Sequence, residues 1–149
     1  MSIQIRIARL EDADTIADFN VRMALETEHL ALDRPTVQRG VRAALADPSK
    51  AFYFVADVDG RVVGQLMITH EWSDWRDGDL WWIQSAYVHP DFRRAGVFKA
   101  LYHHVRQAAR EAGAVGIRLY VENENRVAQQ SYTKLGMTMT HYAVMEEML

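Results

Sequence analysis

The stretch LWWIQSAYV, Leu80 to Val88, carries little polar content and runs into Pro90 and then a helical pattern. A strand this apolar has to be covered on both faces, which demands helices above and below a sheet. The helix that follows puts Val97, Leu101, Val105, Ala108 and Ala112 on one face, and Gly113 stops it. VGIRLYV, Val115 to Val121, then reads as another strand. A strand-helix-strand unit implies parallel pairing. Upstream, AFYFVADV and RVVGQLMITHEW flank Asp59-Gly60, the signal of an antiparallel hairpin. Both kinds of pairing in one chain predict a mixed sheet.

The remaining elements fit around that sheet. Ile3, Ile5 and Ile7 alternate as a first strand. LEDADTIADFNVRMALE reads as a helix, with Asp12 or Asp14 near its start and Ile16, Phe19 and Met23 facing inward. PTVQRGVRAALADP is a second helix, with Pro35 in its first turn and Val37, Val41 and Leu45 four apart. A short helix lies in NENRVAQQSYTKLGM, capped by Asn123 or Asn125 and ended by Gly136. MTHYAVMEEML reads as a last strand. The order is β-α-α-β-β-β-α-β-α-β, a single α/β domain over residues 1–149 with helices on both faces of a mixed sheet.

The join between strand and helix, VHPDFRRAGVFKAL, carries the chemistry. The first turn of a helix has unbonded N–H groups and the positive end of the macrodipole. Gly96 leaves backbone open to a phosphate oxygen, and Arg93, Arg94 and Lys99 add positive charge. Neither a P-loop nor a Rossmann fingerprint is present. A loop with solvated arginines and a turn glycine is the plain alternative, and the loop alone favours it.

Composition removes several classes. With 17 basic and 20 acidic residues, the net charge of −3 argues against nucleic acid as a partner. No cysteine occurs, which excludes disulfides, a cysteine nucleophile and Cys-ligated zinc. No His-x-x-x-His or His-Glu-x-x-His pair indicates a metal. No apolar run is long enough to span a membrane, and the N-terminal stretch is no signal peptide. The expectation is a cytoplasmic chain with no membrane, nucleic-acid or metal partner.

Two blocks together resemble the GNAT superfamily of acyl-CoA-dependent N-acetyltransferases. YVHPDFR leads into Arg93, Gly96 and Val97 of that family's motif A, with Phe98 where the family has a small residue. About 30 residues on, Asn125, Ala128, Tyr132, Leu135, Gly136 and Met137 match its Asn-Ala-Tyr-Leu-Gly-Phe/Met block. The resemblance implies a mostly antiparallel sheet with one splayed parallel strand pair. It implies direct transfer of an acetyl group from acetyl-CoA, the co-substrate, to a primary amine. Amides of Arg94, Ala95, Gly96, Val97, Phe98 and Lys99 would hold the pyrophosphate. Pantetheine would enter between the strand end at Ala86, Tyr87 and Val88 and the strand Ile117 to Val121, pairing like an added strand. The Val88 amide would polarise the thioester carbonyl. Asn125 and Ala128 would border the CoA arm, and Tyr132 would protonate the leaving thiolate.

Plain readings stand beside these. Tyr132 shares helical spacing with Ala128 and Leu135 and suits a core position, and Asn125 suits a helix cap. An amine near a pKa of about 10.4 must lose a proton before attack. Candidate bases are Glu26, Glu28, His29, His70 and Glu71, with Glu28 preferred. Glu26, Glu28, Glu71, Trp72 and Trp75 lie in the two segments expected to line the acceptor side. Trp81 and Trp82 must face opposite sides of the sheet, and core packing suits the four tryptophans as a group. The acceptor expected is a small cationic amine. The alternatives are a protein lysine or N-terminus, and a non-catalytic acyl-CoA-binding module. A homodimer is compatible with all three.

Overall fold

The computed structural model describes residues 1–149. Five strands and four helices follow one another as β1 (Gln4–Ile7), α1 (Ala13–Glu28), α2 (Arg34–Ala46), β2 (Phe52–Val58), β3 (Arg61–Ser73), β4 (Gly78–Val88), α3 (Val97–Glu111), β5 (Gly116–Leu119) and α4 (Arg126–Lys134). The sheet runs β1-β2-β3-β4-β5. All neighbours are antiparallel except β4 and β5, which pair in parallel. The mixed sheet implied by the hairpin and the strand-helix-strand unit is the one observed.

Alternation along the strands divides the core into two layers. Phe54, Leu66, Ile68, Trp81 and Ile83 pack with Val97, Leu101 and Val105 of α3. Tyr53 and Val55 turn the other way, against Ile16 and Ala17 of α1 and Val41 and Ala44 of α2. Side chains with 0% exposure, such as Ile16, Leu66 and Leu101, contribute roughly 1.5–3 kcal/mol each by burial. The caps are local. Asp33 accepts the Thr36 N–H at 3.2 Å, with Pro35 in the first turn of α2. Gly113, at φ 79°, follows the end of α3.

Two expectations are corrected. Residues 138–149 hold no strand. None of their backbone groups bonds to the rest of the chain, so β5 remains an edge. Asp12 stands at the start of α1 as expected, with its side chain turned to other partners. It is buried and takes two hydrogen bonds from Arg6, at 2.8 and 3.1 Å, and one from the Arg9 N–H at 2.7 Å. Trp72, in the last residues of β3, and Trp75, in the turn to β4, are 62% and 88% exposed, since both stand where the hairpin runs out past the helices. Only Trp81 of the four is core.

Candidate active site

The site begins at an irregularity in β4. Met67 opposes Ser85 and Ile68 opposes Ile83, so Gln84 has no partner on β3. A bulge of this kind bends a strand and ends pairing. On the other side of β4, pairing with β5 stops at Ile83–Leu119, the residue before the bulge. Beyond it β4 continues to Val88 while β5 has ended, so the two parallel strands part.

The backbone of the parted segment is oriented by the antiparallel ladder. His89 donates to the Val63 carbonyl at 2.8 Å, so the pair Val88–Gly64 is a non-hydrogen-bonded one. The N–H and C=O of Val88 therefore point away from β3, toward the gap left by β5. The same alternation turns Ala86 that way and turns Tyr87 toward β3. Ala86 and the Val88 N–H thus offer a strand edge to an incoming polar chain, the Val88 carbonyl being taken by Arg93.

The turn from Arg93 to Lys99 closes the end of the gap. Arg94 and Gly96 have φ of 63° and 80°. Left-handed residues within a turn belong to the backbone geometry of anion-binding concavities, and a non-glycine there costs on the order of 1–2 kcal/mol. The first hydrogen bond of α3 runs from the Ala100 N–H to the Gly96 carbonyl at 3.0 Å. The amides of Arg94 to Lys99 precede it, and no backbone acceptor takes them. A Cβ built on Gly96 meets nothing within 4 Å. The cradle is open, and the exposed Arg94 and Lys99 flank it. Opposite, a Cβ on Gly64 would lie 3.1 Å from Val97 Cγ1 and 3.2 Å from the Tyr87 carbonyl. Glycine there lets the start of α3 sit directly on the end of the sheet.

The side chain of Arg93 goes elsewhere. It donates to Glu26 at 2.8 Å and to the Val88 carbonyl at 3.0 Å, with its guanidinium 5.2 Å from the Tyr87 ring centroid. The Tyr87 hydroxyl also donates to Glu26, at 2.9 Å. The Arg93 hydrogen bond, reinforced by Tyr87, holds the Glu26 carboxyl below the usual range. Burial and then Glu26 push the Tyr87 phenol up. Of the two arginines expected to add charge to the turn, only Arg94 is free to do so, and Glu26 is already neutralised.

Tyr132 arrives from α4. Asn125 caps that helix, its side chain accepting the Ala128 N–H at 3.1 Å. The half-buried Tyr132 ring lies 5.8 Å from that of Phe98 at the start of α3, so the large residue of the motif packs against the candidate acid. Burial raises the Tyr132 phenol above its ordinary value. Asn125 and Ala128 belong to the first turn of the same short helix.

The acceptor-side residues are not gathered into one cluster. Glu28 ends α1, exposed and without a hydrogen-bonding partner. Glu71 accepts from Trp82 Nε1 at 2.8 Å and from Arg118 at 3.2 Å. Trp72 and Trp75 stand in solvent. Gln84 and Ser85 at the bulge carry no sequence signal, because a bulge inside an apolar strand has no glycine or proline to mark it. Gln65 is fully buried and donates to Asn20 at 3.1 Å, and its Oε1 and the Ser85 Oγ have no partner.

A cavity of about 1190 Å³ borders Tyr132 but not the Arg94–Lys99 turn, and runs instead along the free edge of β5.

Residues 13–137 match the model of the acetyltransferase (GNAT) family. An N-acetyltransferase of Mycobacterium tuberculosis is 32% identical over 136 residues, covering 85% of this chain and 83% of the relative. The crystal structure of "a possible acetyltransferase from Clostridium difficile 630" is 43% identical with a TM-score of 0.93, covering 100% of this chain and 99% of that one. A ribosomal-protein-alanine N-acetyltransferase from Brucella melitensis shares the fold at 19% identity, with a TM-score of 0.79, covering 99% of this chain and 100% of that one.

Proposed function

The chain belongs to the GNAT family of acetyltransferases, and from that premise we propose that it transfers an acetyl group from acetyl-CoA directly to the primary amine of a small cationic molecule. One observation carries the reading: a row of unbonded amides, Arg94 to Lys99, stands at the end of a strand that has parted from its parallel neighbour. The amides and Arg94 would hold the pyrophosphate. The edge of Ala86 and Val88 would pair with the pantetheine arm, and Tyr87 behind it braces the segment through Glu26. Val88 N–H would take the carbonyl oxygen of the thioester, and its charge as the amine adds. Tyr132, protonated, would return a proton to the departing sulfur. Glu28, unpaired and exposed, is the carboxylate left to accept the proton of the amine.

The charge of the acceptor rests on what remains unneutralised. Glu26 and Glu71 are paired with Arg93 and Arg118. Glu28, Asp74 and Asp77 are exposed and form no ion pair, and their field favours a cation. A peptide amine is the second reading, favoured by the exposure of Trp72 and Trp75, which leaves that side of the cleft open. A panel of polyamines, aminoglycosides, amino acids and lysine or N-terminal peptides, followed by CoA release, separates them. Turnover with peptides alone overturns the small-molecule reading, and turnover with none overturns transfer itself.

A further inference from the structure

The bulge in β4 also decides which side chains face the helices. Ile83 packs toward α3, while Ser85 opposes Met67, which packs toward α1 and α2. Gln84 lies on the α1 side as well, because its Nε2 donates to Thr69 Oγ1 at 2.9 Å and Thr69 alternates with Ile68. Two successive side chains thus share one face, which regular alternation forbids and a bulge permits. The Ser85 hydroxyl is shielded from solvent, so the exposed Gln84 is the one that an incoming molecule can touch. With Nε2 committed to Thr69, its free end is the amide oxygen Oε1, which accepts no hydrogen bond in the fold.

The surroundings say what that oxygen can hold. The cover of α1 and α2 ends at Met67 and Ser85, and beyond them Thr69, Glu71, Trp82 and Gln84 share the face without being buried. Tyr132 packs on Phe98 at the start of α3, which leaves the open α1 side to the acceptor. Val88 stands four residues beyond Gln84 in β4. At about 3.3 Å per residue they are about 13 Å apart along the strand. Gln84 is therefore too far away to hold a nitrogen attacking at the Val88 N–H, and is placed to hold a second group of the same molecule. Past Gln84 the face runs to the hairpin turn, which carries Asp74 and Asp77 against Arg76. Arg118, the other cation here, is paired with Glu71. That field favours a cationic donor over a neutral one.

Taking as its basis the reading of the chain as an amine acetyltransferase, we propose that Gln84 binds a second, distal amine of the acceptor, with Thr69 as the positioning residue that fixes its amide. The acceptor is then an extended diamine or polyamine laid along β4, with one nitrogen at Val88 and another at Gln84 Oε1. An amide oxygen accepts a hydrogen bond from an ammonium without taking its proton. The distal amine stays charged and is not acetylated, while the nitrogen at Val88 reacts.

Kinetics with a series of α,ω-diamines and monoamines of equal length, at saturating acetyl-CoA, test this. At the best length the diamine should have a KM lower by roughly tenfold, the scale of one hydrogen bond to a charged group. Gln84→Ala, a change at an exposed position, should raise the diamine KM to that of the monoamine. It should leave the monoamine KM and the affinity for acetyl-CoA unchanged. Gln84→Glu, which keeps an oxygen at the same reach, should retain the preference. Thr69→Val should weaken the preference and Thr69→Ser should keep it. A Gln84→Ala variant that retains the full diamine preference overturns the proposal. So does one that loses affinity for acetyl-CoA instead, since Gln84 would then serve the cofactor arm. Wild-type transfer to monoamines and diamines without preference overturns it and leaves acetyl transfer standing, whereas transfer to neither overturns both.

Discussion

Arg93 donates to Glu26 across 2.8 Å, tying the turn before α3 to the last turn of α1. It pairs one cation of that turn with one anion of α1.

Arg93 and Arg94 should therefore behave differently. Arg94→Ala should weaken acetyl-CoA binding by roughly tenfold, the scale of one charge-assisted hydrogen bond. Arg93→Ala should leave affinity much closer to wild type. Because the Arg93–Glu26 pair is 46% and 39% exposed, breaking it should destabilise by only about 0.2–1 kcal/mol. Calorimetric titration and thermal melts on the two variants check both statements, and equal losses of affinity would contradict this geometry.

Acetyl-CoA should raise the melting temperature. At about 100 times its dissociation constant, a ligand of the folded state alone stabilises by about 2.7 kcal/mol. Lys99→Glu should reduce the shift by placing a negative charge beside the turn, and Gly96→Glu should abolish it. The Gly96 variant also forces a side chain to φ 80°, so its own melt must be recorded without ligand.

Tyr132→Phe should reduce kcat while leaving stability and cofactor affinity near wild type, since the ring and its packing on Phe98 remain. Positioned acids contribute about 10²–10⁴-fold, and a thiol of pKa about 8.5 is already a fair leaving group. The expected loss is near the lower limit. Full kcat in the variant, with chemistry rate-limiting, would return Tyr132 to a packing role.

Asp12 sets an acid limit on stability. Burial pushes its carboxyl up, but the hydrogen bonds from Arg6 and the Arg9 N–H outweigh this and hold it below the usual range. A depressed folded pKa gives stability that is fully present above the unfolded value of about 3.9 and is lost as pH falls through the folded value. Urea unfolding between pH 7 and pH 3 should show that loss in the wild type. Asp12→Asn should be less stable at neutral pH by about 1–3 kcal/mol and should show a shallower decline below pH 4.

Much of this protein was legible one residue at a time. The apolar run Leu80–Val88, the Asp59-Gly60 turn and the face Val97, Leu101, Val105 lead to the sheet and α3, because period and turn chemistry are local properties. Asn125 as a cap and Pro35 in the first turn of α2 are local for the same reason. Three features depend on distance through space instead. The bulge at Gln84, which parts β4 from β5, exists only in the register between β3 and β4. The partner of the Arg93 side chain is a carboxylate 67 residues away, which no local pattern announces. MTHYAVMEEML has the pattern of a strand, but a strand is completed by a neighbour, and no backbone hydrogen bond joins this segment to the sheet. Side-chain period is written in the sequence; hydrogen-bonding partners and the pairing of charges are decided only when the chain has folded.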